Sequence, residues 1–422
     1  MTTTRFRRTR RARGVAAVLI AAALLGSLAS CGDGGDGEGD GGTVRSSGEH
    51  GRAGDADRSK GKSPAAARAA EDDDEDDEDE KLRPFSLVAT GDLLVHDSII
   101  RQARADSGGS GYDFRTMLAA AKPVASKADL AICHMETVYG EDDGPFSGYP
   151  AFVTPPQLAR AVKDTGYDSC STASNHTLDD GSDGVERTLD AMDEAGLRHA
   201  GSARSEAEST RPAMLRAGGA NVAQLAYTYG TNGIPLPEDK PWTVNMIDRD
   251  RIIADARAAR KAGADVVVVS LHWGTEWQEA PDATQKSLSR KLTASRSGGR
   301  KDIDLILGTH AHVPQAYEKV NGTWVVHGMG DQIAGKMDDP RGTMGSAARF
   351  TFAPPRTRDG SWTVRKAEYL PFLMETTPRH TLVNLAAPAA RKAGYERQRA
   401  FSTITEAVLS RGAAKDGLRL GR

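Results

Sequence analysis

The stretch Asp304-Leu305-Ile306-Leu307-Gly308-Thr309-His310-Ala311-His312-Val313-Pro314-Gln315 joins a short apolar run to a pair of histidines. Leu305 to Leu307 predicts a buried strand, and Gly308 predicts the turn that ends it. In extended backbone, residues i and i+2 point to one side, so His310 and His312 are expected to project together just past the strand end. Open α/β sheets place their ligands at that carboxyl edge. Alone, the pair also fits a surface turn with two titrating imidazoles.

Four other apolar runs finish in the same kind of residue. Phe85 to Ala89 leads to Gly91-Asp92, with His96 four residues on, and Leu130 to Cys133 runs into His134-Met135-Glu136. Asp168 to Thr172 precedes Asn175-His176-Thr177-Leu178-Asp179. Asp265 to Leu271, the most β-branched run and hence a buried central strand, ends in His272-Trp273-Gly274-Thr275-Glu276. Helix-like segments alternate with these strands: Met117 to Lys127, Pro155 to Thr165, Gly184 to Ala195 and Ile252 to Ala262. That alternation argues for α/β architecture. Asn321-Gly322 between Gln315–Val320 and Thr323–Val326 marks a hairpin, and strands at Arg349–Phe352 and Thr363–Leu370 complete a mainly antiparallel ending.

Oxygen and imidazole donors without thiolate suit Mn, Fe or Zn rather than a structural thiolate site. A carboxylate flanked by imidazole and amide ligands would hold two ions ~3.5–4 Å apart, as in two-metal hydrolases. In order and local spacing, Gly91-Asp92, His134-x-Glu136, Asn175-His176-x-x-Asp179-x-Gly181, His272-Trp273-Gly274-x-Glu276 and His310-x-His312-Val313-x-Gln315 resemble the CapA family. These are bacterial proteins linked to poly-γ-glutamate capsule synthesis. The resemblance spans roughly Pro84 to Tyr369. It implies a four-layer α/β/β/α sandwich of metallophosphoesterase type with two divalent metal ions along the strand ends. Asp92 and His312 would bind one ion, Asn175, His272 and His310 the other, and Glu136 would bridge them. His176 would give a proton to the leaving group or clamp the transition state, with Asp179 orienting it. His96, His134, Trp273 and Glu276 would lie on the substrate side. The chain departs from the family at His134, Ser174, Thr309 and Ala311, and in His327-Gly328-Met329-Gly330-Asp331-Gln332. The proposed ligands survive these departures.

Residues 1–30 predict a lipoprotein signal peptide: six arginines from Arg5 to Arg13, an apolar run from Gly14 to Ser30, and Leu28-Ala29-Ser30-Cys31 as a cleavage and lipidation site at Cys31. Residues 31–83 predict a disordered acidic and glycine-rich tether, because Glu71 to Glu80 is entirely acidic and apolar content is low. Of the chain's net charge of −3, the signal carries +6 and residues 32–83 carry −9, which leaves the remainder neutral. A neutral domain behind an acidic tether argues against a nucleic-acid partner. Residues 84–387 are expected to form one domain and 388–422 a helical tail. Beyond Cys31, only Cys133 and Cys170 remain, each at the end of an apolar run. A disulfide between them is permitted outside the cytoplasm but not indicated.

Two functions fit. One is a lipid-anchored dinuclear-metal hydrolase on the extracytoplasmic face of the cell membrane, acting on a phosphoester or related bond in envelope or capsule polymer metabolism. The other is a non-enzymatic, metal-containing factor for assembly, export or retention of an anionic polymer. Expected partners are the polymer or phosphoester substrate, the membrane through the lipid, and an envelope biosynthesis complex. His176 favours the enzyme, since a structural metal site needs no proton donor.

Overall fold

Alternating burial along the central strands builds the fold. In the computed structural model, which describes residues 81–357 and 360–422, Val266 and Val268 face one core while Val267 and Val269 face another. Phe85, Leu87 and Ala89 share the first of these cores, and Val88 points the opposite way. A strand buried on both faces needs a layer on each side. The expected signal peptide, the lipidation site at Cys31 and the tether up to residue 80 lie outside the described residues.

One sheet runs in the order Thr381–Asn384, Thr363–Glu375, Met344–Ala353, Phe85–Leu93, Leu130–Met135, Ser169–Ser171, Arg198–Ala200. The last four are parallel to one another, and the first three are joined antiparallel. The second sheet runs Tyr317–Val320, Thr323–Val326, Leu305–Thr309, Val266–His272, Ala220–Thr228, Ala213–Ala217, with its four inner strands parallel. Helices Asp97–Asp106 and Gln157–Thr165 supply Ile99, Leu158 and Val162 to the outer core of the first sheet. Helices Arg249–Lys261 and Ala283–Ala294 cover the second through Ile252, Ala256, Leu288 and Leu292. The result is a four-layer α/β/β/α sandwich.

Two local readings change and one, the hairpin, holds. Met117–Lys127 is two short helices, Arg115–Leu118 and Lys122–Ala125, because Pro123 sits in the first turn of the second and cannot continue the first. The hairpin at Asn321-Gly322 forms with both residues at positive φ, 49° and 76°, as a tight two-residue turn requires. Residues 388–422 are not a detached tail. Helix Tyr395–Leu409 buries Ala400, Ile404 and Val408 in the inter-sheet core, and Leu418–Leu420 pairs in parallel with Thr363–Glu375. Cys133 and Cys170 face each other on adjacent strands and are joined as a disulfide.

Candidate metal centre

Register places the polar strand ends in two facing rows. In the first sheet Asp331, Asp92, His134 and Ser171 are successive cross-strand partners. In the second, Thr228, His272 and Thr309 align in the same way. The first row depends on a close backbone crossing: the Asp92 amide donates to the Gly330 carbonyl at 3.1 Å, and a Cβ on Gly91 would lie 1.7 Å from that oxygen. Only glycine fits there.

His310 and His312 reach the site by a route other than the expected one. The strand ends at Thr309, and both histidines have positive φ, 92° and 52°, so a left-handed turn brings their rings to 5.9 Å. Non-glycine residues rarely occupy that region, and they concentrate at functional sites. Asn232 and Trp277, at 52° and 64°, do so beside the same cluster.

Within it, Asp92, His134 and His272 have ligand atoms within 4.8 Å of one another, as do Glu136, His310 and His312, and also Asp92, His312 and Asp331. Glu136 Oε1 stands 3.6 Å from His272 Nε2 and 3.7 Å from His312 Nε2, between the two neighbourhoods. Asn175 Oδ1 lies 2.7 Å from His272 Nε2. The outer ring nitrogens are held: His134 Nδ1 by Ser171 Oγ at 2.8 Å, His272 Nδ1 by Thr309 Oγ1 at 3.0 Å, His312 Nδ1 by Asp331 at 2.9 Å. Such contacts orient ligating histidines. The inner atoms are not held. Asp92 Oδ1, His134 Nε2, both Glu136 carboxylate oxygens, His310 Nδ1 and Asp331 Oδ2 are buried without a hydrogen-bond partner among the described residues. Buried polar atoms are normally satisfied, so a convergent group of orphans calls for a ligand. Their chemistry fits divalent metal ions.

The electrostatics agree. Burial, with Glu136 and Asp331 alongside, pushes the Asp92 carboxyl well above its ordinary value. Burial raises Glu136 to about 7 against the pull of His312 and His176. Burial holds His134 and His310 down to about 3 and His272 well below its usual range. At His312 burial is outweighed by Asp331, Glu136 and Asp92, which keep the imidazole protonated well above 6.5. Asp92, Glu136 and His312 thus favour their protons, which ligands of this kind release when a metal ion binds.

His176 stands beside the cluster with Nδ1 2.6 Å from Asp179 Oδ2. Asp179 also accepts from the Phe152 amide at 2.7 Å, and it caps no helix, since Asp180 is the residue preceding Gly181–Glu194. The substrate-side set is divided. His134 belongs inside the cluster rather than outside it. Trp273 does not face the site: its indole is 2% exposed, packs under the second sheet and donates to the His327 carbonyl. Glu276 is exposed and near enough for its charge to raise Glu136. His96 is half-buried, edge-on to Phe152, which is edge-on to His176. Sequence reasoning missed Asp331, whose signal was the Gly-Asp step it shares with Gly91-Asp92. It also missed Tyr229, 4.4 Å from the His310 ring, and Asn232, which accepts from Asn175 Nδ2 at 3.0 Å.

The two-sheet α/β/β/α sandwich, with a buried histidine–carboxylate cluster across its strand ends, is a fold of metallophosphoesterase type. Within that class, the chain belongs to the family described as bacterial capsule synthesis protein PGA_cap, whose model matches residues 86–336. It is 26% identical over 180 residues to the capsule biosynthesis protein CapA of Bacillus anthracis, covering 42% of each chain. To the PGA biosynthesis protein CapA of Bacillus subtilis it is 27% identical over 179 residues, 42% of this chain and 45% of the other. The chain therefore matches less than half the length of these relatives. Among solved structures, a calcineurin-like phosphoesterase from Bacillus subtilis aligns with a TM-score of 0.39 and 15% identity, over 77% of this chain and 99% of that one.

Proposed function

We propose that the chain is a dinuclear-metal hydrolase acting on a phosphoester in envelope or capsule polymer metabolism. The orphaned ligand atoms of Asp92, Glu136, His134, His310 and Asp331, converging in one buried site, carry this reading. Asp92, Asp331 and His312 would hold one ion; Asn175, His272 and His310 the other; Glu136 lies between them and His134 beside both Asp92 and His272. Mn, Fe or Zn suits this oxygen and nitrogen set. When bound, such ions supply charge opposite the substrate oxygens and water activated near neutral pH. His176, its Nδ1 tied to Asp179, keeps Nε2 to deliver a proton to a leaving oxygen.

The test is elemental analysis of the purified chain, followed by hydrolysis of an aryl phosphate by wild type and His176→Ala. About two ions and a turnover that falls in the variant with metal retained support the reading. A fully loaded wild type that cleaves neither phosphomonoesters nor phosphodiesters would overturn it. The proposal extends to localisation: lipidation at Cys31 would anchor the protein outside the cytoplasmic membrane, and Cys31→Ala should release it to the medium.

A further inference from the structure

Two loops, one after Ala220–Thr228 and one after Val266–His272, rim the metal centre, and each holds a residue in the left-handed region: Asn232 at φ 52° and Trp277 at 64°. Such conformations persist only where the surroundings enforce them, and they cluster at working sites. Asn232 accepts from Asn175 at 3.0 Å. On the same loop, the Tyr229 ring lies 4.4 Å from that of His310, and the Trp277 ring lies 5.6 Å from that of His312. One aromatic side chain therefore stands against each imidazole of the histidine pair.

Among the described residues the exposed large hydrophobics are Leu82, Tyr149, Tyr229, Ile234 and Tyr395. Tyr229, 46% exposed, and Ile234, 38% exposed, belong to the loop that carries Asn232. Tyr149, 74% exposed, stands 6.4 Å from Phe152, which is edge-on to His176 at 4.7 Å. Scattered exposed apolar residues are ordinary, but three gathered at one opening mark a binding surface. The charge beside this surface is negative. Burial, then Glu276, raise the Tyr229 phenol to about 12, so an exposed carboxylate stands near the ring. Arg341, which donates to the Trp277 carbonyl at 3.1 Å, is already paired with Asp339 at 2.6 Å.

The geometry points to a sugar phosphate as the substrate, an inference that rests on the hydrolase reading: the phosphoryl group lies at the metal centre and the neutral sugar ring against Tyr229. The C–H face of a pyranose is apolar and packs on an aromatic ring, while its hydroxyls donate to a carboxylate or amide oxygen, which Glu276 and Asn232 supply on this rim. A substrate carrying further acidic groups would meet Glu276 with like charge. A flat aryl group would cover Tyr229 but make no use of Glu276. The aromatic face and the carboxylate together therefore select a ring with hydroxyls.

The probes are glucose 1-phosphate, glycerol 3-phosphate and phenyl phosphate, titrated calorimetrically into the full chain loaded with manganese. The His176→Ala background keeps turnover from consuming them. Glucose 1-phosphate is expected to bind roughly three- to tenfold more tightly than glycerol 3-phosphate, the scale of one ring contact. Tyr229→Ala should remove that preference, Tyr229→Phe should keep it, and Glu276→Ala should reduce it. Tyr395→Ala, at an exposed tyrosine on Tyr395–Leu409, is the control and should leave it unchanged. Equal binding of glucose 1-phosphate and glycerol 3-phosphate overturns the inference and leaves the hydrolase reading standing. So does a preference that survives Tyr229→Ala, or phenyl phosphate binding as tightly as glucose 1-phosphate. If none of the three phosphates binds, the inference and the hydrolase reading fall together.

Discussion

Replacing Glu136 by Gln should make the metal-free protein more stable and the metal-loaded protein less so. Both Glu136 oxygens are buried without a hydrogen-bond partner, and burial raises the carboxyl from 4.5 to about 7. A rise of that size corresponds to roughly 3 kcal/mol of differential interaction between the two protonation states. The folded value lies above the unfolded one, so the metal-free protein loses this stability as pH rises from about 4.5 through 7. Below that window both states hold the proton and the substitution gains nothing. Above it, Glu136→Gln should recover about 3 kcal/mol, or about 4 °C for a folded unit of this size, taking about 2.1 cal/mol/K per residue of unfolding entropy. Relief of Asp92, which Glu136 also pushes upward, adds in the same direction. The assay is thermal unfolding in chelator at pH 5 and pH 8.5, repeated with added Mn or Zn. Wild type should be stabilised by metal and the variant much less. Loss of stability on Glu136→Gln at pH 8.5 in chelator would refute the reasoning, because the carboxylate would then be serving the fold. So would an equal response of both proteins to metal.

Asp331→Asn should weaken one ion roughly 10- to 100-fold, as loss of a ligand or its orienting partner does, while the Glu136–His310 neighbourhood keeps its own; metal titration followed by elemental analysis checks it. His176→Ala should leave metal content unchanged and lower turnover by roughly 10²–10⁴, whereas Asn175→Ala should lower metal affinity at the His272 side. Reducing the Cys133–Cys170 bridge, which spans a sequence separation of 37, should cost about 4 kcal/mol of stability by loop-closure entropy, measured as urea unfolding with and without reductant.

Much of the site was legible as chemistry at strand ends. A β-branched run such as Val266–Val269 can only be a buried strand, and a polar residue directly after it must lie at the sheet's edge. Asp92, Glu136, Asn175, His272, His310 and His312 stand out on that basis, and the structure gathers all six in one buried place. The roles of neighbours were less legible. Trp273 follows His272 directly, yet alternation along the strand turns it to the opposite face, where its indole meets the His327 carbonyl. The sequence puts His134 outside the cluster, because sequence order says nothing about which strand lies beside which.

The sequence by itself determined the alternation of strands and helices, the two-faced burial of the central strands and the residue types offered at their ends. These are local: periodicity and propensity act over a few residues. Register and sheet order were decided only by the tertiary structure. Asp331 becomes a partner of Asp92 across 239 residues because the Gly330 backbone crosses at Gly91, where no Cβ intervenes. His310 and His312 converge through a left-handed turn that an extended reading cannot foresee, since that conformation is unfavourable locally and is held by the packing around it. Which charges remain unpartnered depends on contacts distant in sequence, and the fold alone supplies those.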